Sequence, residues 1–383
     1  MPARPRYDGE WKAWLSGTTT IEQDLGWLPS EMVVVGKPWQ HVEITDGCTS
    51  FGLAAFGGVV VEALAKEEGQ NVNLFHQTEQ LGARKFFNVM DYGAVEGGVT
   101  DNSQLTVTGG GTLDGQGPIV WPRNNFNNHP CRTLPISLSF DFVNNATVAH
   151  LRSYNSKNAH ISVFGCNKMD FTKLRLSAPG DSPNTDGIKI GSSYRIRISR
   201  SVITTGDDCI AILSGSREIH IHKIFCGPGH GIIIGSLGVN GNEHDVEGVY
   251  VKDSVLKGTT NGLRIKTWPN SHPLKVSKII YENIVMTDVM NPIIIDQNYC
   301  PSPPCNQQVT SYVQISNVTY NNIWGSSSSK EAVILKCSKT SPCKNIVMNN
   351  IKLSLDGPGG IASSYCENAV GVTYGTQNPR PCI

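Results

Sequence analysis

Four things are scarce in this chain, and each scarcity excludes a class of protein. No apolar run reaches the roughly 18 residues of a membrane-spanning helix, so no span is expected. Cys-x-x-Cys pairs are absent, and with them a common framework for structural zinc. Excess charge is absent too: 32 Lys and Arg balance 32 Asp and Glu. No global field gathers nucleic acid, and none is expected as a partner. Charged residues make up 17% of the chain, below the usual quarter. Glycine, in contrast, is plentiful at 39 of 383 residues, and isoleucine and valine recur throughout. That balance suits a turn-dense all-β protein and does not suit disorder.

The eleven cysteines allow four close pairs: Cys209 with Cys226, Cys300 with Cys305, Cys337 with Cys343, and Cys366 with Cys382. Close pairs in a long β protein point to an oxidising compartment; buried thiols are the competing explanation. Asn145-Ala146-Thr147 and Asn317-Val318-Thr319 are glycosylation sequons, usable in a secreted chain. Met1 to Gly9 is polar and proline-rich, unlike a signal peptide. Residues 51–61 form an apolar run, followed by the small-x-small string Ala63-Leu64-Ala65. Residues 1–85 therefore read as an atypical segment with a displaced secretion signal over 51–65 and a polar linker after it. An amphipathic helix or a core strand competes for the same run.

From Leu105 onward the pattern is periodic. Strand-like pieces begin near Ala146, Met169, Tyr194, Glu218, Val249, Val276, Tyr312 and Asn345, with Asn, Gly, Ser and Lys at the breaks. Three phrases are near copies: Asp186-Gly187-Ile188-Lys189-Ile190, Asp208-Cys209-Ile210-Ala211-Ile212 and His230-Gly231-Ile232-Ile233-Ile234. Their leading residues are 22 apart, then 22 again. A fixed period of this size is a solenoid signature, and it is too short for a propeller blade. Stacked coils bury isoleucine and valine rung over rung. Residues 86–383 are expected to form a right-handed parallel β-helix. In Leu263-Arg264-Ile265-Lys266 the aliphatic residues face inward and the two cations outward on one side.

The repeat aligns Asp186, Asp208 and His230 in one column, with Asp207 beside it. Neighbouring strands in a ladder lie about 4.8 Å apart, so three carboxylates this close cannot all ionise freely. One should keep a proton to donate while another serves as base. A polar ladder that only bonds turn amides is the plain alternative. Arg264 and Lys266 on the next coil suit a substrate with its own carboxylate, although charge balance against the aspartates also explains them. His220-Ile221-His222 sets two imidazoles on one face with no third ligand, so no metal is expected.

Four strings now stand in order: Asn184-Thr185-Asp186-Gly187, Gly206-Asp207-Asp208-Cys209, Gly229-His230-Gly231 and Arg264-Ile265-Lys266. Together they resemble the motifs of polygalacturonases, glycoside hydrolase family 28. Cys226-Gly227-Pro228-Gly229-His230-Gly231 resembles the plant members. Arg264-Ile265-Lys266-Thr267-Trp268-Pro269 and Ile294-Ile295-Asp296-Gln297-Asn298-Tyr299-Cys300-Pro301 resemble pollen-type exopolygalacturonases. The resemblance implies a right-handed β-helix that hydrolyses α-1,4-galacturonan with inversion and no cofactor, exo-acting in preference to endo. It implies Asp207 as general acid and Asp186 and Asp208 as activators of water. His230 then supports the acid, Arg264 and Lys266 grip a substrate carboxylate, Tyr299 contacts the sugar, and Asn184 helps position it. A secreted, monomeric cell-wall enzyme acting on pectin follows.

The resemblance also carries a departure. Asp101-Asn102-Ser103-Gln104 looks like the start of the family's N-terminal helix, and Leu105-Thr106-Val107-Thr108-Gly109-Gly110-Gly111 looks like a later coil. Family members carry several dozen residues between them; here they abut. The capping helix and first coils are therefore expected to be missing, with an exposed strand edge at that end. A mis-spliced or inactive pectin-binding β-helix is the reading from another class. A β-helical lyase is a third, but its calcium-binding carboxylate clusters and arginine base are not in evidence.

Overall fold

The computed structural model describes residues 40–46, 49–55, 105–123, 134–301, 310–357 and 360–383. Two long sheets run the length of the molecule, one of 11 strands and one of 13. In the first sheet, Leu138–Asp141, Ile161–Phe164, Ile188–Gly191, Ile210–Ile212, Ile232–Leu237, Asn261–Thr267, Asn291–Asp296, Glu331–Lys336 and Ser363–Glu367 pair in parallel, each with its successor. Between consecutive members the chain passes through a strand of the second sheet, among them Tyr194–Thr204, Arg217–Cys226 and Val246–Lys257. Parallel neighbours joined this way, with the right-handed crossover that twisted strands favour, make a right-handed parallel β-helix.

The alternation in the sequence sets the register. Ile188 pairs with Ile210 and Ile210 with Ile232, then Leu263 and Ile293 follow. All five are essentially buried and stack along the interior. Their odd-numbered or even-numbered neighbours face out by the period of two, which puts Lys189, Arg264 and Lys266 on the open side of the first sheet. Longer insertions between later strands stretch the 22-residue spacing to 31 between Ile232 and Leu263 without changing the stack.

Three of the drawn cysteine pairs are disulfides: Cys209–Cys226, Cys337–Cys343 and Cys366–Cys382. Cys300 is also disulfide-bonded; Cys305 lies outside the described residues. Cys166 is a buried free thiol.

At the N-terminal end, no parallel first-sheet strand precedes Leu138 among the described residues. That edge is not bare: Gln40–Asp46 pairs antiparallel with Leu138–Asp141, and Thr49–Ala55 pairs antiparallel with Gln40–Asp46. Residues 51–55 of the stretch read as a secretion signal thus lie in a strand. Residues 56–65 and the linker lie outside the described residues, as does the string at 101–104.

Candidate active site

The stacked turns ahead of the first-sheet strands build the site. Asn184, at φ 54°, turns the chain in the left-handed region just before Thr185 and Asp186. The buried Thr185 Oγ1 lies 2.7 Å from Ser182 Oγ and accepts the Gly206 N–H at 2.9 Å. This clamps the Asp186 turn to the turn one coil on. Gly206 has to be glycine, because a Cβ would lie 2.0 Å from the Ser182 carbonyl oxygen. The clamp delivers Asp207 and Asp208 beside Asp186, and the Cys209–Cys226 disulfide fastens the chain immediately after them.

The carboxylates differ in exposure. The Asp207 side chain is 23% exposed, Asp186 6% and Asp208 5%. Asp207 Oδ1 accepts the Asp208 N–H at 2.8 Å and lies 3.0 Å from His230 Nδ1. His230 Nδ1 is 3.9 Å from Asp208 Oδ1. Lys266 Nζ donates to Asp208 Oδ2 at 3.0 Å, and Lys189 Nζ stands 3.2 Å from Asp186 Oδ1. Asp207, Asp208 and His230 bring one potential ligand atom each within 4.8 Å of one another. Those groups already bond to each other and to the Lys266 ammonium, so the cluster reads as a proton-sharing centre with a built-in cation.

Burial sorts the protons. Asp186 is pushed up to about 7, first by desolvation and then by the charges of Asp207 and Asp208, against the pull of Lys189. Asp208 is also raised, by burial first and by Asp207, with Lys266 opposing. Burial pushes Asp207 up as well, but the His230 hydrogen bond and charge, the Asp208 N–H and Lys266 together hold it below its usual range. The bond to Asp207 raises His230, against desolvation. The proton between His230 and Asp207 therefore resides on Nδ1.

The two cations are not idle. Arg264 donates an Nη2–H to Asp296 Oδ2 at 2.8 Å, and its guanidinium carbon lies 5.2 Å from the Tyr299 ring centroid. Lys266 Nζ lies 5.2 Å from the same centroid. Trp268 meets Tyr299 edge to face at 5.1 Å. The Arg264 Nε–H and Trp268 Nε1–H are buried without partners.

Of the eight residues read from the sequence, Asp186, Asp207, Asp208, His230, Arg264, Lys266 and Tyr299 come together in one patch. Asn184 sits at its edge and makes no side-chain hydrogen bond to them. Reading the sequence assigned no site role to Lys189, counted only among the cations of these coils, nor to Asp296 or the Ser182–Thr185 clamp. Lys189 has a signal in hindsight: it is three residues past Asp186 with outward parity. Asp296 is the register partner of Lys266, yet its carboxylate binds Arg264, a diagonal that no linear pattern displays. The His220-Ile221-His222 pair went elsewhere, with His220 stacked on Tyr250 at 4.7 Å.

Clustered carboxylates with unequal proton affinities, on the outer face of a solenoid, supply the acid and base that glycoside hydrolysis requires. Residues 90–375 match the family model described as glycosyl hydrolases family 28. The chain belongs to that family. It is 45% identical over 276 residues to the exopolygalacturonase of Platanus acerifolia, covering 72% of this chain and 73% of that one. Against the exopolygalacturonase of Oenothera organensis it is 45% identical over 280 residues, covering 73% and 77%. Among solved structures, endo-xylogalacturonan hydrolase from Aspergillus tubingensis shares the fold, with a TM-score of 0.58 at 23% identity over 72% of this chain and 76% of that one.

Proposed function

We propose that this chain hydrolyses α-1,4-galacturonosyl bonds of polygalacturonic acid with inversion, acting from a chain end. The observation that carries the reading is the meeting of three carboxylates with Lys266, Arg264 and Tyr299. Acid–base groups lie beside a cationic, aromatic-walled place for an anionic sugar. The similarity to exopolygalacturonases supports both the substrate and the exo mode.

Asp207 is the general acid. It is the most exposed of the three carboxylates, and an acid must reach the bridging oxygen of a polymer lying across the cleft. His230 holds the proton on Nδ1, against Asp207. When sugar expels water from the cleft, the ion pair loses its solvation, and the proton shifts to Asp207 and on to the leaving oxygen. Asp186 and Asp208, deeper in the turn, orient the water that attacks the anomeric carbon from the opposite face, and the ionised member of the pair takes its proton. Lys266 leaves Asp208 to meet the substrate carboxylate, and Arg264, braced by Asp296, holds the same sugar. Asn184 borders that sugar. Residues 86–383 form the catalytic domain, consistent with a family match that begins at residue 90. The disulfides and the polymer substrate support a secreted, cell-wall setting, and the chain acts as a monomer.

The test incubates the purified chain with polygalacturonic acid. New reducing ends, with monogalacturonate as the first product, are expected. Ultraviolet-absorbing unsaturated ends would instead mean a lyase, and binding without product would mean a pectin-binding protein.

A further inference from the structure

The second sheet carries a recurring bend, a residue in the left-handed region at the same row of successive coils. In successive coils that residue is Lys173 (φ 53°), Arg200 (φ 49°) and Lys223 (φ 56°), then Asp253, Asn283, Asn322 and Asn350. Their immediate neighbours are in register, Thr172 with Ser199 and Ser199 with His222. The three cations therefore stand one above another at the strand spacing of about 4.8 Å. Two residues beyond the bend, Arg152 and Arg175 are register partners on the next row. All five side chains belong to exposed residues.

None of the five makes an ion pair with a described residue. Four other exposed cations of the same sheet do: Arg195 with Glu218 at 3.2 Å, Arg197 with Asp170 at 2.5 Å, Lys252 with Glu282 at 3.5 Å and Lys278 with Glu247 at 2.6 Å; Lys168, Arg217 and Lys275 are unpaired among the described residues but do not stack into a column with one another. The neighbouring imidazole registers the uncompensated field. His222 is lowered by burial first, then by Lys223 and Arg200, with Asp253 opposing. Adjacent like charges at this spacing repel by about 1 kcal/mol even in water. In a chain of zero net charge, this local excess is a standing cost that Arg195, Arg197, Lys252 and Lys278 avoid by pairing.

We propose that the Lys173–Arg200–Lys223 ladder, with Arg152 and Arg175 beside it, is a second binding surface for polygalacturonate, separate from the cleft, that anchors the enzyme to its polymer. A 1,4-linked galacturonan carries one carboxylate per ring, so it presents repeated negative charge to the repeated cations, and the unpaired cations offer it uncompensated charge. Asp253 ends the ladder, so contact is confined to these coils. The choice of polymer rests on the function proposed above.

The experiment compares wild type with the triple variant Lys173→Gln, Arg200→Gln, Lys223→Gln in two assays. The first is hydrolysis of soluble trigalacturonate. The second is retention in the cold on a polygalacturonate gel, with saturating trigalacturonate to fill the cleft. Wild type should be retained at low salt and released as salt rises. The variant should lose about tenfold or more in retention, about 1.4 kcal/mol, with trigalacturonate turnover unchanged. Equal retention of the two proteins overturns the proposal, as does no retention of wild type. So does equal retention of wild type on a fully methyl-esterified gel, or tighter binding to phosphatidylserine vesicles than to polygalacturonate. If wild type fails to cleave trigalacturonate, the hydrolase reading fails, and the gel still reports on the ladder.

Discussion

One row of the solenoid holds two kinds of residue. Two positions ahead of the stacked Ile188, Ile210 and Ile232 stand Asp186, Asp208 and His230; two ahead of Leu263 and Ile293 stand Asn261 and Asn291. Asp186, Asp208 and Asn261 are each 4% exposed. Burial of these three is equal, so the difference between them is charge. Asn291 Nδ2 donates to the Thr260 carbonyl at 2.9 Å and to Asn261 Oδ1 at 3.3 Å, which closes that half as a structural amide ladder. The ionisable half is neutralised only in part, by Lys189 and Lys266, and burial raises Asp186 and Asp208 against that pull. The same backbone slot thus supports stability in one stretch and opposes it in the other.

The sharpest break of the comparison is at Asp207, just outside the row. Asp207→Asn keeps the shape and removes the proton donor, so kcat is expected to fall by about 10³ or more while oligogalacturonate still binds. Reducing-end assays and calorimetric titration measure the two; near-normal turnover would remove Asp207 from the acid role.

Asp186 should show what the ionisable half costs. Its folded pKa of about 7 lies above the ordinary 3.8. The folded state therefore holds more protons than the unfolded state between those values, and stability falls as pH rises through that window. The full effect is about 4 kcal/mol, before relaxation of the site. His230, raised in the fold, adds stability that is likewise lost at higher pH; Asp207, lowered, contributes the opposite slope. Melting temperature should therefore drop from pH 5 to pH 7.5 in wild type, and Asp186→Asn should flatten that drop while abolishing activity. A parallel profile in the variant would contradict the assignment.

Cys226→Ser tests how the row is fastened. The bridge to Cys209 spans 17 residues, a loop whose closure is worth about 3 kcal/mol. Denaturant unfolding should register that loss with its midpoint. In the amide half, Asn291→Ala should cost about 1 kcal/mol, equally at pH 5 and pH 7.5. A pH-dependent loss there would erase the contrast between the halves. The smallest expected effect is on discrimination. Lys266→Ala should weaken binding of polygalacturonate more than of its methyl ester, and equal losses would end its proposed carboxylate grip.

Much of this was legible in the chain. The repeat from Asp186 to Asp208 to His230, with isoleucines alternating behind, announced both the parallel stack and the row it carries. Inward Leu263 and Ile265 and outward Arg264 and Lys266 followed from the period of two. The pairing of cysteines close in sequence was also readable, because short separations leave few geometries. The covered edge at Leu138–Asp141 was not. The sequence showed the abutting strings near Gln104, but an antiparallel hairpin from residues 40–55 has no periodic signature. Nor did the row itself say that Lys266 would be committed to Asp208, or Arg264 to Asp296.

What the sequence determined alone is the set of local repeats: which residues face in, which face out, and which share a row. Those depend on a strand's period of two and on a constant coil length, both written in the order of residues. Only the tertiary structure decided who neutralises whom. Asp208 and Lys266 are 58 residues apart in the chain and 3.0 Å apart in space. It also decided which carboxyl holds a proton, because that depends on how much water the stacked coils exclude and which charges they bring together. Asp186 and Asp207 are the same amino acid one coil apart. One is buried and driven up, and the other is half-open to the cleft and held down by His230.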